Sequence, residues 1–490
     1  MADGYARTSG QPGVCYLITG PGLLNALTPI AQAWHDSVPL LVVASTTATP
    51  DLGRGRGPLH DVGDQAAMAA PVTSISETVT DPDRISELLA MAWGSWATGR
   101  PRPVHLSVPV DALSREVGTL TAVAHPAAPA APDPRALRDA ADLLGRALRP
   151  VILAGGGAVS AADAVVALAE ALDAPVVTTG NGKGIIAADH PLAIGTLLPF
   201  APVLALLRDA DVVLVVGSEL SDIDRLATGA DLELPGAIVR VDIDAAQCAH
   251  PPRGPGQPRV DVVADAALAL RGLVAALPER PADRDPGATR AAETVGAVDL
   301  GAQARQHAPW LDALESTIGA DVTVILDSTQ LAYSALHAVP AARPGQWLAP
   351  YGLGTLGPAL PMAVGARLGR LRRGDGPAPV VAIAGDGGVL FTLPELATAV
   401  DIGGPLVLVV WDNGGYGEIR DSFDRAGAPR TGTETTAHDL VAIARGFGAV
   451  ATRADDPAAL ADAVSAGLRS DAPTVVVVPE PGSPAAGKAL

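Results

Sequence analysis

At 490 residues the chain exceeds one ordinary hydrophobic core and predicts two to four domains. A net charge of −19 argues against a nucleic-acid polyanion as partner and for solubility. Two cysteines, Cys15 and Cys248, lie far apart without CxxC or Cys/His spacing, which excludes a disulfide framework and a zinc site and predicts a reducing, cytoplasmic setting. The longest apolar runs, such as "PLVLVVW", are strand-sized and too short to span a bilayer, and no charged segment leads an apolar one at the start.

In chain order, the first block (1–120) offers the strand candidates "VCYLIT", "PLLVVAS" and "PVHLSVP". A Pro/Ala tether, "AVAHPAAPAAPDP", fills 121–134. The second block (135–280) opens with a strand, a glycine turn and a helix in "PVILAGGGAVSAADAVVALAEAL". It continues through "APVVTTG", "ADVVLVVGSELSD" and "AIVRVDIDAA". Short Val/Ile runs alternating with Ala/Leu helices predict parallel βα units. A polar, Pro-rich linker is expected over 281–302. The third block (303–490) carries "VTVILDSTQ", "APVVAIAGDGG", "GPLVLVVWDNGG" and "PTVVVVPEP". The expected fold class is therefore α/β, with three doubly wound parallel-sheet domains. Ligands of open parallel sheets bind at the carboxyl ends of strands, so the polar loops that end these strands define the rim to search.

On that rim Gly385, Asp386, Gly387 and Gly388 end one strand, and Asp412, Asn413, Gly414, Gly415 and Tyr416 end another. The helix between them, "FTLPELATAVDIGG", makes the two strands neighbours in a right-handed βαβ unit. Asp386 and Asn413 would then offer two oxygens to a hard cation such as Mg²⁺, and the glycines would let backbone N–H groups reach phosphate oxygens. Loops that serve only to turn the chain are the alternative.

GDG, 24 residues, and an Asn-containing pair closed by Gly and Tyr resemble the signature of thiamine-diphosphate enzymes. The surrounding text is similar to the acetolactate synthase-like group of decarboxylases and carboligases over nearly the whole chain. The resemblance implies a pyrimidine-binding, a central and a diphosphate-binding domain in that order. It also implies thiamine diphosphate and Mg²⁺ as cofactors, with Asp386, Asn413 and the Gly415 carbonyl as metal ligands. Asp412 departs from the pattern, where a second Asn is usual. In "YGLGTLGPALPMAVGA" the family position nominates Gly354 and Thr355 as cofactor contacts. Leu356 would prop the cofactor in its bent shape, against the alternative of a core leucine. "DSTQ" nominates Ser328, Thr329 and Gln330 around the diphosphate, and Tyr416 closes the metal loop.

"TGPG" at Thr19–Gly22 resembles the pyrimidine domain from mid-helix onward. The family's activating glutamate would precede this chain's Ala-Asp-Gly-Tyr, so no residue here takes that role. The expectation is a misplaced start or a missing head, with impaired activity until a glutamate is supplied. The alternative is an inactive thiamine-diphosphate binder. A Mg²⁺–ATP protein is a third reading, unsupported by any Walker-type motif. "GRGRGPLHDVGDQ" supplies His60 as a general acid/base candidate or a surface loop histidine. Glu418 is a candidate for a cationic substrate tail or a proton transfer, or else a surface salt-bridge partner. "GRGRGPLHD", "GSELSDID", "DSTQ" and "GYGEIR" resemble the branch with 5-guanidino-2-oxopentanoate decarboxylases. The implied reaction is decarboxylation of a 2-oxo acid with protonation or carboligation of the enamine, in a homodimer or homotetramer with sites between subunits. "AGGGAVS", "TTGNGKG" and "VDIDAA" resemble a domain that binds FAD in some relatives. The span after "NGKG" is short, so FAD is disfavoured and a structural role is expected there.

Overall fold

The computed structural model describes residues 1–118, 128–225, 232–249, 258–436 and 438–483. Residues 121–127, which make up the first half of the expected tether, lie outside them. Three sheets follow one another along the chain. The first contains β1 (Gly13–Leu17), β2 (Leu40–Thr46), β3 (Ile75–Thr78) and β4 (Val104–Pro109), in the order β1-β2-β4-β3. The second contains β5 (Pro150–Ala154), β6 (Val176–Thr178), β7 (Ala193–Gly195), β8 (Val212–Val216), β9 (Ala237–Asp242) and β10 (Arg259–Val263), ordered β10-β9-β8-β5-β6-β7. The third contains β11 (Thr323–Leu326), β12 (Trp347–Leu348), β13 (Val380–Gly385), β14 (Leu406–Asp412), β15 (Val450–Arg453) and β16 (Thr474–Pro479), ordered β12-β11-β13-β14-β16-β15. Every strand pair in these sheets is parallel.

Parallel strands require crossovers, and helices on both faces bury nearly every residue of the central strands, which explains their Val/Ile runs. In the second sheet Ile152, Leu214 and Val239 belong to one core and Val151, Val213 and Ile238 to the other, as the two-residue period demands. The first sheet divides in the same way: Val42 packs on one side, Leu41 and Leu106 on the other.

The chain forms two compact units. One comprises Met1–Pro129, Pro350–Thr355 and Gly365–Gly374, and the other Ala130–Ala349, Leu356–Val364 and Asp375–Leu490. The second and third sheets therefore share a unit. Within the stretch 281–302, expected as a linker, Gly287–Gly296 form a helix whose Ala291 is buried in the second sheet's core. Before it, buried Arg284 donates to the carbonyls of Ala147 at 2.8 Å, Leu172 at 2.6 Å and Gly145 at 2.8 Å. Two of those carbonyls end the helices Pro134–Arg146 and Ala162–Leu172, where such groups lack partners of their own. Composition alone could not reveal this, because the segment is held by scattered contacts: buried Arg284, the bond from Arg290 to Pro150 O at 2.9 Å, and small apolar residues such as Ala291.

In the first unit β1 is an edge strand, and its Tyr16 is 82 % exposed, with Val14 and Ile18 also exposed on either side. An apolar edge of this kind invites pairing with another chain. Tyr16→Lys should lower aggregation on concentration, read by light scattering, while changing unfolding stability by less than about 0.5 kcal/mol. A large drop in stability, or unchanged scattering, would show that Tyr16 is covered in solution.

Candidate functional site

The tips of β13 and β14 fix the site. Their ladder runs from Val380–Leu406 to Gly385–Trp411, so the next residues, Asp386 and Asp412, leave the sheet side by side. Trp411 anchors the β14 tip: its ring is fully buried and meets the rings of His307 and Trp310 edge-on, with centroids 5.2 and 5.7 Å away. Each such pair contributes about 0.5–1.5 kcal/mol beyond area burial, which holds the register one residue before the polar loop.

Beyond the tips, oxygens converge. Asp386 is buried, and its Oδ1 accepts the Asn413 backbone N–H at 3.4 Å while Oδ2 accepts the Thr435 hydroxyl at 3.4 Å. The Asn413 amide oxygen lies 2.8 Å from the Gly415 carbonyl oxygen and 3.3 Å from Asp386 Oδ1. The Asn413 amide thus meets two acceptors at once. Turning the amide over would supply donors to both, but it would remove the bond from Asn413 Nδ2 to Gln330 Oε1 at 3.4 Å and set two oxygens together there. A cation satisfies both ends without the turn. Adjacent ligands of a six-coordinate ion with bonds of 2.0–2.1 Å are separated by about 2.9 Å, close to the spacing seen. Burial, then the neighbouring Asp412 carboxylate, pushes the Asp386 carboxyl up to about 6.

The loop that presents the Gly415 carbonyl is pinned from outside the strand. The Tyr416 N–H donates to Thr433 O at 2.8 Å, the Thr435 N–H to Gly414 O at 3.3 Å, and Gly415 forms an antiparallel bridge with Glu434. Gly415 has φ +147°, and a Cβ there would lie 2.3 Å from Thr433 O, so only glycine fits. Asp412, the departure from the family pattern, turns its Oδ1 to the Gly414 N–H at 3.2 Å and closes the turn.

A second buried carboxylate, Asp327, organises the neighbouring loops. It accepts N–H groups from Ser328 at 2.8 Å, Gly357 at 3.0 Å and Ala359 at 3.2 Å. Burial still outweighs these donors and lifts its carboxyl to about 6. Asp327 thereby ties the loop of Ser328, Thr329 and Gln330 to the stretch that follows Leu356. Thr329 and Gln330 are buried, and Gln330 donates to Asp421 at 2.7 Å. Leu356 is 37 % exposed, so it is not a core leucine. Within the first unit, the Thr355 N–H and hydroxyl donate to Gln32 Oε1 at 3.2 and 3.0 Å, and the Gly352 N–H donates to Asp36 at 2.9 Å. Gly354 takes φ +68° in that held loop.

The structure brings Ser328, Thr329, Gln330, Leu356, Gly385, Asp386, Gly387, Gly388, Asn413, Gly415 and Tyr416 into one compact unit, and places His60, Gly354 and Thr355 in the other. His60 has φ +68°, an uncommon backbone for this residue type, and Gly20 of the "TGPG" loop rests against its carbonyl. Glu418 is exposed in the first turn of the helix Gly417–Arg425 and pairs with Arg425 at 2.7 Å. Sequence reasoning missed Asp327, Gln32, Asp36 and the pinning segment Thr433–Thr435. Asp327 alone carried a signal, a carboxylate at the end of a buried strand like Asp386.

Three family models match the chain in order. They are the N-terminal TPP binding domain of thiamine pyrophosphate enzymes over residues 1–68, the central domain over 137–273 and the C-terminal TPP binding domain over 327–478. A probable 2-ketoarginine decarboxylase of Pseudomonas aeruginosa is 39 % identical over 484 residues, covering 97 % of this chain and 84 % of that protein. The acetolactate synthase isozyme 1 large subunit of Escherichia coli is 30 % identical over 427 residues, covering 86 % of this chain and 73 % of the relative. Benzoylformate decarboxylase from Polynucleobacter necessarius shares the fold, with a TM-score of 0.83 at 21 % identity over 98 % of this chain and 88 % of that one. On the order of its domains and on these identities, the chain belongs to the acetolactate synthase-like family of thiamine-diphosphate-dependent 2-oxo-acid decarboxylases and carboligases.

Proposed function

We propose that the chain decarboxylates 5-guanidino-2-oxopentanoate (2-ketoarginine), using Mg²⁺ and thiamine diphosphate held at the tips of β13 and β14. The single observation that carries the metal assignment is the convergence of Asp386 Oδ1 and the Gly415 carbonyl oxygen on the Asn413 side-chain amide, at 3.3 and 2.8 Å. Asp386 would bring one full charge and the other two neutral oxygens, leaving three of about six positions for diphosphate and water. The buried loop of Ser328, Thr329 and Gln330, the glycines at 385, 387 and 388, and Tyr416 would line the diphosphate. Gly354 and Thr355 would hold the loop before Leu356, whose exposed side chain would prop the cofactor. When bound, the cofactor would supply an electron sink for the pair that departing CO₂ leaves on the substrate carbon, and the metal would offset the diphosphate charge.

The substrate assignment rests on the Pseudomonas relative and on the acids around the site. Glu418, at present paired with Arg425, could exchange that guanidinium for the substrate's, with Asp412 the second acid in the same loop. His60 would hold or deliver a proton at its ring. The central domain is read as structural, without flavin: its glycine turn is spent on packing, with the Gly157 N–H donating to Gly217 O at 3.0 Å. A homodimer or homotetramer with sites between subunits, and a cytoplasmic location, complete the reading. No helix among the described residues is long and apolar enough to cross a membrane.

Calorimetric titration tests the metal site. Asp386→Asn should keep the fold and weaken Mg²⁺-dependent thiamine diphosphate binding by roughly 100-fold or more. Binding at wild-type strength would refute Asp386 as a ligand. Because the cation must displace a proton from a carboxyl raised to about 6, affinity should fall roughly tenfold per pH unit below that value. The stability of the cofactor-free protein should move the other way. A native carboxyl raised above its unfolded value of 3.8 favours the folded state on acidification and loses that advantage as pH rises through about 6. Chemical denaturation across that range should show a shallower pH dependence in Asp386→Asn than in wild type, the remainder coming from Asp327, whose carboxyl is also raised to about 6. Finally, CO₂ release should be faster from 5-guanidino-2-oxopentanoate than from pyruvate; the reverse order would assign the chain to acetolactate-type chemistry.

A further inference from the structure

The "GNGKG" turn of the central domain, Gly180–Gly184, has the look of a ligand loop, yet its lysine does not point to solvent. Lys183 is 6 % exposed and donates to the carbonyls of Leu336 at 2.6 Å and Val339 at 2.5 Å. Its ammonium also stands over the Trp347 ring, 4.9 Å from the centroid. A lysine has three N–H groups, and two carbonyls with one aromatic face account for them. The approach is close along the whole turn. Gly184 has φ +86°, and a Cβ there would sit 2.3 Å from Arg343 O. Alongside, the Thr196 hydroxyl donates to the same Leu336 carbonyl at 2.8 Å, and His337 bonds the Thr196 carbonyl at 2.7 Å.

These carbonyls belong to the C-terminal end of the helix Gln330–Ala338, where acceptors lack helical partners and positive charge is favoured. Nine residues make a rod about 13 Å long. At its other end stand Thr329 and Gln330, and Gln330 Oε1 accepts from the Asn413 amide whose oxygen faces Asp386 and Gly415. Trp347 lies on β12, which pairs with β11, the strand that runs into Asp327. Two routes from Lys183's partners, one along the helix and one across the β12–β11 hydrogen bonds, therefore end in the loop 327–330.

We infer that Lys183 is a positioning residue for the cofactor site, a latch from the central domain that sets where Thr329 and Gln330 stand against the cation-binding oxygens. The motif is thereby accounted for without a nucleotide. Burial pulls the Lys183 ammonium down to about 7, with Glu315 opposing, so the contact is held against a substantial desolvation cost.

The inference rests on the Mg²⁺–thiamine diphosphate reading above, and the test separates the two. In the full chain, Lys183→Met keeps the length of the side chain and removes its donors. Mg²⁺–thiamine diphosphate titration should show a dissociation constant raised roughly tenfold, the scale seen when an outer partner of a metal ligand is lost. Amide exchange across 330–338 should accelerate, while KM for the 2-oxo acid at saturating cofactor stays at its wild-type value. A change in KM alone, or an unchanged dissociation constant in folded protein, would overturn the latch. If Lys183→Met does not fold, Thr196→Val removes one hydroxyl from the same carbonyl and should shift the constant in the same direction; no shift there overturns it equally. Wild type that fails to bind Mg²⁺–thiamine diphosphate would sink the cofactor reading and this one together, whereas wild-type binding with unaltered variants sinks this one alone.

Discussion

A buried carboxylate meeting a side-chain amide and a backbone carbonyl, with only two long hydrogen bonds to it, is the constraint around which the third sheet is arranged. Such a cluster is unfavourable on its own, because charge and lone pairs are withdrawn from water with little compensation. The fold nevertheless holds it from four directions. The β13–β14 ladder sets Asp386 beside the start of the β14 loop, and Trp411 locks the register. Residues 433–435 pin Gly415, and Gln330 orients the Asn413 amide. Strain of this kind is retained where a ligand relieves it.

Three aspartates at strand ends illustrate how the same side chain takes different work from its surroundings. Asp327 is as deeply buried as Asp386, but three backbone N–H groups point at it, so its charge serves to tie loops together. Asp412 is closed on its own turn through Gly414 and acts on Asp386 only through its field. Asp386 alone meets other acceptors. Sequence position cannot distinguish these roles, since each follows a run of Val, Ile or Leu; the count of donors does.

The parts of this protein that could be read from the sequence are those set by short-range pattern. Apolar runs with strand length gave parallel sheets, and GDG and Asp-Asn at the ends of adjacent strands placed Asp386 and Asn413 together. What could not be read depends on approach between segments far apart in the chain. Lys183 reaches carbonyls more than 150 residues away, Gln32 and Asp36 grip residues 352–355, and Arg284 converts an apparent linker into part of the central core. None of these side chains sits in a periodic pattern, because each acts through one contact with a backbone whose position is fixed elsewhere.

That division also explains where specificity can reside. The proposed metal and diphosphate contacts would be made by glycines, backbone groups and tightly held side chains, so they would tolerate little change and distinguish no substrate. Glu418 is different: it is exposed, on the first turn of a helix, and its present partner Arg425 is itself exposed. An exposed pair of this sort is worth little to stability, about 0–1 kcal/mol, and can exchange one guanidinium for another at small cost. A family with one rigid cofactor platform can then vary its substrate through such loosely held side chains at the rim, without disturbing the oxygens beneath.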